Sequence, residues 1–144
     1  QTILAQRDVA IADSYVVPQG NVRFSHGHRD AGAFPGLSIY AHEHPVIRLR
    51  DEVGAYVQMT CFLYDEANRF MLMPAFSQLA SGTDLSATAP SFMNPTLREL
   101  DISDAKVYAV HGDIMDFGKV SGLRALHGCA PDQPKRLHAG GAGV

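Results

Sequence analysis

The stretch AYVQMTCFLYDEANRFMLMPAF, residues 55–76, decides the fold. Its apolar residues alternate on both sides of a polar tetrapeptide, residues 65–68, which suits a hairpin loop. With that loop, Leu63 is predicted to face Phe70, and one face of the strand pair is apolar throughout. A slip of one residue would mix the two faces, so the hydrophobic pattern specifies the register. The sequence therefore predicts an antiparallel hairpin.

A second hairpin is predicted on the N-terminal side of the first. Residues 46–50 alternate between apolar and basic side chains, and a loop over residues 50–54 lets Ile47 face Val57. Gly54 then lies where a hairpin loop often needs a positive φ. The two hairpins together predict a three-stranded antiparallel meander.

Strand-like patterns also occur outside the meander. Period-two alternation is present at residues 21–25, 37–41 and 105–111. Residues 77–95 are rich in Ser, Thr, Gly and Pro and are predicted to form a long loop, whereas residues 119–127 fit a helix or a strand equally. About seven or eight short strands predict an all-β fold with little helix, as an antiparallel β-sandwich or a small barrel.

The chain length and the ends of the sequence predict the domain organisation. A chain of 144 residues suits one domain, which we expect over residues 1–129. Residues 1–12 are expected to form an N-terminal arm or edge strand. Residues 130–144 lack apolar periodicity and are predicted to form a flexible tail.

Composition and charge exclude several classes of function. The net charge is -3, which gives no electrostatic footprint for nucleic acid, and the apolar runs are too short to span a bilayer. No phosphate-binding loop, dinucleotide fingerprint or Gly-x-Ser-x-Gly motif occurs. Charged residues make up 19% of the chain, below the usual value of about 25%. That deficit fits a subunit partly covered by neighbours, in a virion, an extracellular or a cytoplasmic setting.

The two cysteines, Cys61 and Cys129, show no metal or redox spacing. The first interpretation is a pair of free thiols. The alternative is a disulfide that closes the long intervening loop, which would require an oxidising compartment.

Two His-x-His pairs, each just beyond a short apolar run, form the candidate chemical site. Residues at i and i+2 of a strand share a face, so each pair could present two imidazoles to one divalent transition metal ion. The candidate ligands are His26, His28, His42 and His44, with His111 and Asp113 as a weaker pair. Glu43 or Asp30 is expected to orient a ligand or to act as a general base. The alternative interpretation is that the histidines lie in polar turns without a metal.

The leading hypothesis for function is a non-catalytic structural subunit of a larger assembly, of the virion, capsid-decoration or filament type. Its expected partners are further copies of the chain or other subunits. The reason is the second face of the predicted hairpin, where Phe62, Tyr64, Met71 and Met73 leave a partly apolar surface. Two alternatives remain open: a small β-barrel metal-dependent enzyme that uses the histidine pairs, and a secreted ligand-binding barrel with a Cys61–Cys129 bridge.

Overall fold

The computed structural model describes residues 11–50, 53–77 and 80–128, and within them it contains eight strands and one helix. The strands are β1 (Ser14–Val17), β2 (Val22–Ser25), β3 (Leu37–Tyr40), β4 (Val46–Arg50), β5 (Tyr56–Asp65), β6 (Phe70–Leu72), β7 (Lys106–His111) and β8 (Asp113–Lys119). The helix is α1 (Val120–Gly128), and short 3-10 turns lie at Pro18–Gly20 and Pro95–Leu97.

All eight strands hydrogen-bond into one open sheet, with the order β1-β2-β3-β6-β5-β7-β8 and with β4 also paired to β5. The prediction of an all-β fold with little helix is confirmed. The described sheet is open and not closed, and the choice between a sandwich and a barrel is not confirmed. The sheet is also mixed rather than antiparallel, since β2 pairs parallel with β3 and β3 pairs parallel with β6.

The long strand β5 has antiparallel partners on both of its edges. Thr60 pairs with Val46 of β4 and with Val110 of β7, so β4 and β7 lie on opposite edges. β6 pairs with the C-terminal end of β5, at residues 63–65, and it too lies on the edge of β5 opposite β7. β4 and β6 therefore lie end to end along one edge of β5. The predicted meander has the right antiparallel pairings but the wrong arrangement of its outer strands.

The registers of both hairpins differ from the prediction by two residues. Leu63 faces Leu72 rather than Phe70, and Ile47 faces Met59 rather than Val57. Side chains in a strand alternate with a period of two, so a shift of two residues leaves the same side chains on the same face. The predicted apolar face is therefore correct although the pairs are not.

The β5–β6 turn explains one of these shifts. The Asp65 carboxylate accepts hydrogen bonds from the backbone and side-chain amides of Asn68, both at 2.9 Å, and Asp65 itself is still paired within the strand. Arg69, rather than Asn68, adopts the left-handed conformation, with a φ of 53°. In the other hairpin Arg50 pairs with Tyr56, which it was not predicted to do, but Gly54 has the predicted positive φ, at 88°.

The core lies on one face of the sheet, beneath the long loop that precedes β7 and helix α1. The sheet contributes buried residues that include Cys61, Leu63, Leu72, Val107 and Ala109, and the covering segments contribute Leu85, Phe92, Leu97, Ile102, Val120 and Leu123. The ambiguous segment at residues 119–127 is helical from Val120 onward, and Lys119 is the last residue of β8. The first two amides of the helix, at Val120 and Ser121, donate to the carbonyls of Ala105 and Ser103, which anchors the helix to the turn before β7.

The outer face of the sheet carries an apolar row across five neighbouring strands. The row consists of register partners on β1, β2, β3, β6 and β5, namely Tyr15, Phe24, Ile39, Met71 and Tyr64. Tyr15 is 68% exposed and Phe24 is 42% exposed, whereas the other three are half-buried. We call this set the outer row. It agrees with the expectation of a partly apolar second face.

Several predictions fall outside the described residues. They are the tail at residues 130–144, most of the N-terminal arm at residues 1–12, and Cys129. Cys61 is a buried free thiol, and burial, with a smaller contribution from Asp84, raises its pKa to about 12. It is therefore chemically inert in the folded chain.

Candidate functional site

The parallel pairing of β2 and β3 brings the two His-x-His pairs to one edge of the sheet. His26 and His28 follow the last residue of β2, and His42 and His44 follow the last residue of β3. Parallel strands in register end on the same side, so residues that follow their carboxyl ends are neighbours. The sequence showed the pairs, but only this pairing shows that they converge.

Three of the four imidazole rings form a compact cluster. The ring centroids of His26 and His42 are 4.7 Å apart, those of His26 and His28 are 5.2 Å apart, and those of His28 and His42 are 6.3 Å apart. The His42 Nδ1 and His26 Nε2 atoms lie 3.0 Å apart and share a hydrogen bond. We call His26, His28 and His42 the three-histidine cluster.

A local irregularity in the backbone places His42 beside His26. The amides of Ala41 and His42 both donate to the His26 carbonyl, at 3.3 Å and 2.8 Å. Two successive amides on one carbonyl lie just beyond the last parallel pair, Ser25 and Tyr40, where the ladder ends and the chain turns. His42 consequently reaches the side of the sheet edge that carries His26 and His28.

His44 is close to the cluster but is not one of its three contacting rings. Its φ is 48°, a left-handed conformation that costs a non-glycine residue about 1–3 kcal/mol. Its Nδ1 atom is buried and has no hydrogen-bond partner in the described structure. Its electrostatic interaction with His26 is the smallest of those that lower the pKa of His26.

Residues 41–45, here called the strap, carry the chain from β3 into β4 and are held from two sides. The Thr83 amide donates to the Glu43 carbonyl and the Cys61 amide donates to the Pro45 carbonyl, both at 3.0 Å. Gly82 packs so closely that a Cβ atom there would lie 1.7 Å from the His44 carbonyl oxygen. The strap therefore has little freedom to move.

Glu43 anchors the strap in the protein interior, and both of its carboxylate oxygens bond to residues other than the imidazoles. It is fully buried, and its Oε2 accepts a hydrogen bond from the Thr83 hydroxyl at 2.7 Å, while its Oε1 accepts one from the Asn94 amide. Asp30 is exposed and accepts from the Gly32 amide at 2.9 Å. Both carboxylates therefore anchor loop segments, and the ring-orienting role that the sequence suggested for them stays a prediction.

Arg23 is the functional support that sequence reasoning missed. It is 6% exposed and donates to the carbonyls of Ala31 and Gly32, at 2.7 Å and 3.0 Å, and to the Ser38 hydroxyl at 3.0 Å. These bonds fold the connection between β2 and β3, which begins with His26. The sequence pattern of β2 could have revealed this role. Side chains alternate along a strand, so Arg23 points inward because its neighbour Phe24 faces outward.

The environment of His26 favours its neutral form. Burial lowers the pKa of His26, and the neighbouring charges of His42, His28 and His44 lower it further, in that order. Only a neutral imidazole can bind a metal ion, so this shift favours the form of His26 that could act as a ligand.

The described side chains, as they stand, do not form a ready metal cage. Within residues 11–50, 53–77 and 80–128, no group of three or more His, Cys, Asp or Glu side chains is arranged to hold a metal ion. The weaker pair, His111 and Asp113, is exposed on the β7–β8 turn. In the strand order, β6 and β5 separate β7 from β3, so this pair belongs to another part of the sheet.

A groove of about 720 Å³ adjoins the cluster on the outer face. His26, His28 and Asp13 line it together with Tyr15, Phe24 and Ile39 of the outer row. Most of the groove surface is apolar, and its polar groups include two imidazoles and the Asp13 carboxylate. Small-molecule sites commonly combine apolar walls with a few convergent polar groups in this way.

The fold and the site define a mixed-sheet β protein with a three-histidine cluster at a strand-end edge. No protein-family model, curated protein or solved structure matches the chain. In the part of the chain that the structure describes, no helix has the length and apolarity needed to cross a membrane.

Proposed function

We propose that the protein binds a divalent transition metal ion through His26, His28 and His42. The observation that carries the proposal is the convergence of these three rings from two strand ends, with centroids 4.7–6.3 Å apart. Zinc–nitrogen bonds of about 2.0–2.1 Å in a tetrahedral site place two ligand nitrogens about 3.3 Å apart. The His26 and His42 nitrogens, at 3.0 Å, are within a few tenths of an ångström of that separation.

Metal binding at this cluster requires the rings to turn rather than the backbone to move. The ring that donates this hydrogen bond would move its proton to its other nitrogen through solvent, so that the lone pairs of His26 Nε2 and His42 Nδ1 could both face the ion. The terminal torsion of histidine has a broad energy minimum, which makes small ring rotations inexpensive. His28 is exposed, and its ring has room to swing toward the other two.

Three protein ligands leave one coordination position of a tetrahedral ion open to water or to another ligand. Imidazole suits zinc, copper, iron and nickel, and the ion that occupies the site in the cell depends on geometry and availability. His44 lies outside the ring contacts and is expected to contribute less than the other three. His44 has a left-handed backbone and an Nδ1 atom without a hydrogen-bond partner in the described structure. Substitution of His44 is therefore the best way to distinguish a three-ligand site from a four-ligand site.

Calorimetric titration of tag-free protein with zinc, together with the visible absorption of the cobalt(II) form, tests the proposal. We expect one ion per chain, and we expect His26→Gln, His28→Gln and His42→Gln each to weaken binding at least about tenfold. His111→Gln is the matched control, because it removes an exposed histidine outside the cluster. Absence of stoichiometric binding, or an equal loss in the control, would contradict the proposal.

The second candidate function is that of a structural subunit in an assembly, and the outer row favours it. Tyr15 and Phe24 expose much of their surface on a sheet face whose opposite side already supplies the core. Exposed apolar patches of this kind often mark contacts between proteins. We propose a further copy of the chain as the partner that covers the row.

Light scattering coupled to size-exclusion chromatography tests this second candidate over a wide concentration range. A concentration-dependent oligomer that Phe24→Ser dissociates, while Ile114→Ser on the far edge strand does not, is the expected result. A monomer at every concentration would end the proposal without affecting the metal site.

A further inference from the structure

We infer that the free edge of β1 pairs with β1 of a second copy of the chain and joins the two sheets into one. The two strands lie antiparallel about a two-fold axis perpendicular to the sheet. The partner is the one named for the second candidate function, a further copy, but the contact surface is the edge of β1 and not the outer row. The metal site plays no part in this pairing.

The outer edge of β4 is covered by the chain itself and is not available to a partner. The Val46 amide donates to the Thr83 carbonyl at 3.0 Å, and the Leu85 amide donates to the Val46 carbonyl at 2.9 Å. The Arg48 amide donates to the Ser86 hydroxyl at 3.2 Å. The backbone groups on this edge are therefore used within the chain.

The free edge of β8 has features that oppose pairing with another strand. Asp113, Asp116 and Lys119 place three charges along its seven residues. Gly118 has a φ of 70°, and the register with β7 shifts close to it, which marks a bulge. Charged side chains and bulges are features by which natural sheets keep their edges from pairing.

The edge of β1 has neither of these features. Its residues, Ser14–Val17, carry no charge, no proline and no positive φ, and among the described strands only β2 pairs with it. Tyr15 and Val16 point to opposite faces of the sheet and are 68% and 41% exposed. An uncharged edge with apolar side chains exposed on both faces fits a sheet that continues into a second copy.

Symmetry limits the register of this pairing. Alternate residues of an antiparallel strand direct both backbone groups to the same side, so two of the four residues of β1 face away from β2. Two copies exchange about four hydrogen bonds through these residues when either Tyr15 or Val16 lies on the two-fold axis. Opposite residues of an antiparallel pair share a face, so the outer rows of the two copies then lie on one continuous sheet face.

The length of β1 sets the strength of the contact. The strand has four residues, so the interface consists of a few backbone hydrogen bonds and the apolar contacts of Tyr15 and Val16. Interfaces at the low end of the size range form weak complexes. We expect a dimer with a Kd on the order of 10–100 μM.

Sedimentation equilibrium of the full chain, from about 1 μM to 1 mM, is the first test. We expect a monomer–dimer equilibrium that Val16→Glu weakens at least about tenfold, because a charge on the edge strand opposes pairing. Within the chain the new carboxylate lies opposite Arg23, so we expect the fold to tolerate it. Ile114→Glu, at an exposed residue of β8, is the matched control and should leave the dimer unchanged.

Disulfide crosslinking under mild oxidation is the second test, made in Cys129→Ser protein, in which the buried Cys61 remains. Only a residue on the two-fold axis meets its own copy at about 4.5–5.5 Å between Cα atoms, a distance that a disulfide can bridge. The residues on either side are about 8 Å from their own copies, which is too far. We therefore expect one of Tyr15→Cys and Val16→Cys to form a linked dimer, and the other to remain monomeric, as does Ile114→Cys.

The outcomes separate this inference from the outer-row contact. A dimer that survives Val16→Glu overturns the inference, and its loss in Phe24→Ser then assigns the contact to the outer row. A dimer that Val16→Glu dissociates and Phe24→Ser does not sustains the inference and ends the outer-row proposal. Crosslinking of both β1 variants, of neither, or of Ile114→Cys at the same rate would also overturn the pairing of β1.

Discussion

Replacing Glu43 by leucine should loosen the strap that presents His42, and its effect can be worked out from two hydrogen bonds. The Glu43 carboxylate accepts from the Thr83 hydroxyl and from the Asn94 amide, and all three residues are buried. Leucine has a similar volume but no acceptor. An unsatisfied buried donor costs about 1–3 kcal/mol. The Thr83 hydroxyl can rotate toward another acceptor, whereas the Asn94 amide is fixed by the backbone.

We therefore expect Glu43→Leu to lower the free energy of unfolding by about 2–4 kcal/mol, after allowance for the buried carboxylate that it removes. Glu43→Gln keeps one acceptor for Asn94 and should cost about 1–2 kcal/mol. Urea unfolding measures both, and Glu99→Gln, at an exposed glutamate, is the matched control. If Glu43→Leu is within about 0.5 kcal/mol of the parent protein, the buried carboxylate does not support the strap.

Three further predictions follow from the strap, the cluster and the core thiol. Gly82→Ala should destabilise the fold and weaken zinc binding, because its Cβ would lie 1.7 Å from the His44 carbonyl oxygen, whereas Gly122→Ala, in α1 with open space around it, should not destabilise. The pKa of His26 is lowered in the folded chain, whereas in the unfolded chain it is about 6.5. As the pH falls, the unfolded chain therefore binds this proton at a higher pH than the folded chain does. Stability should therefore decline as the pH falls below that value, and a His26→Gln variant that shows the same decline would refute the assignment. The Cys61 thiol, with a pKa raised to about 12, should resist alkylation in native protein that lacks the other cysteine and should react on unfolding; rapid native labelling would contradict its burial.

The faces of the sheet could be predicted from the sequence, but the pairings could not. Alternation in β5 and β6 identified Cys61, Leu63 and Leu72 as core residues because side-chain direction is a local property of a strand. Register depends on where the turn begins, and Asp65 prolongs β5 by bonding to Asn68 within the turn. Shifts of two residues leave the hydrophobic pattern unchanged, so the pattern alone could not exclude them.

The candidate ligands could also be predicted, but their convergence could not. His-x-His spacing is visible in the sequence, and the spacing alone placed each pair on one side of a strand end. Their meeting depends on β2 and β3 being parallel neighbours, and such a pair is usually connected by a helix. No helix occurs between them here, so the usual sign of a parallel connection was absent.

The way in which the β2–β3 connection is held supports a functional interpretation of this edge. Four buried side-chain nitrogens lack a hydrogen-bond partner in the described structure, and three of them, in Arg23, His44 and Asn94, belong to residues that build the site. A Cβ atom at Gly27, between the first two histidines, would lie 3.0 Å from the Asn94 Nδ2. Unsatisfied buried polar groups are uncommon in folded proteins, and violations of local rules concentrate at functional sites. Their concentration around the three-histidine cluster, together with the left-handed His44, supports the proposal that this edge is a binding site.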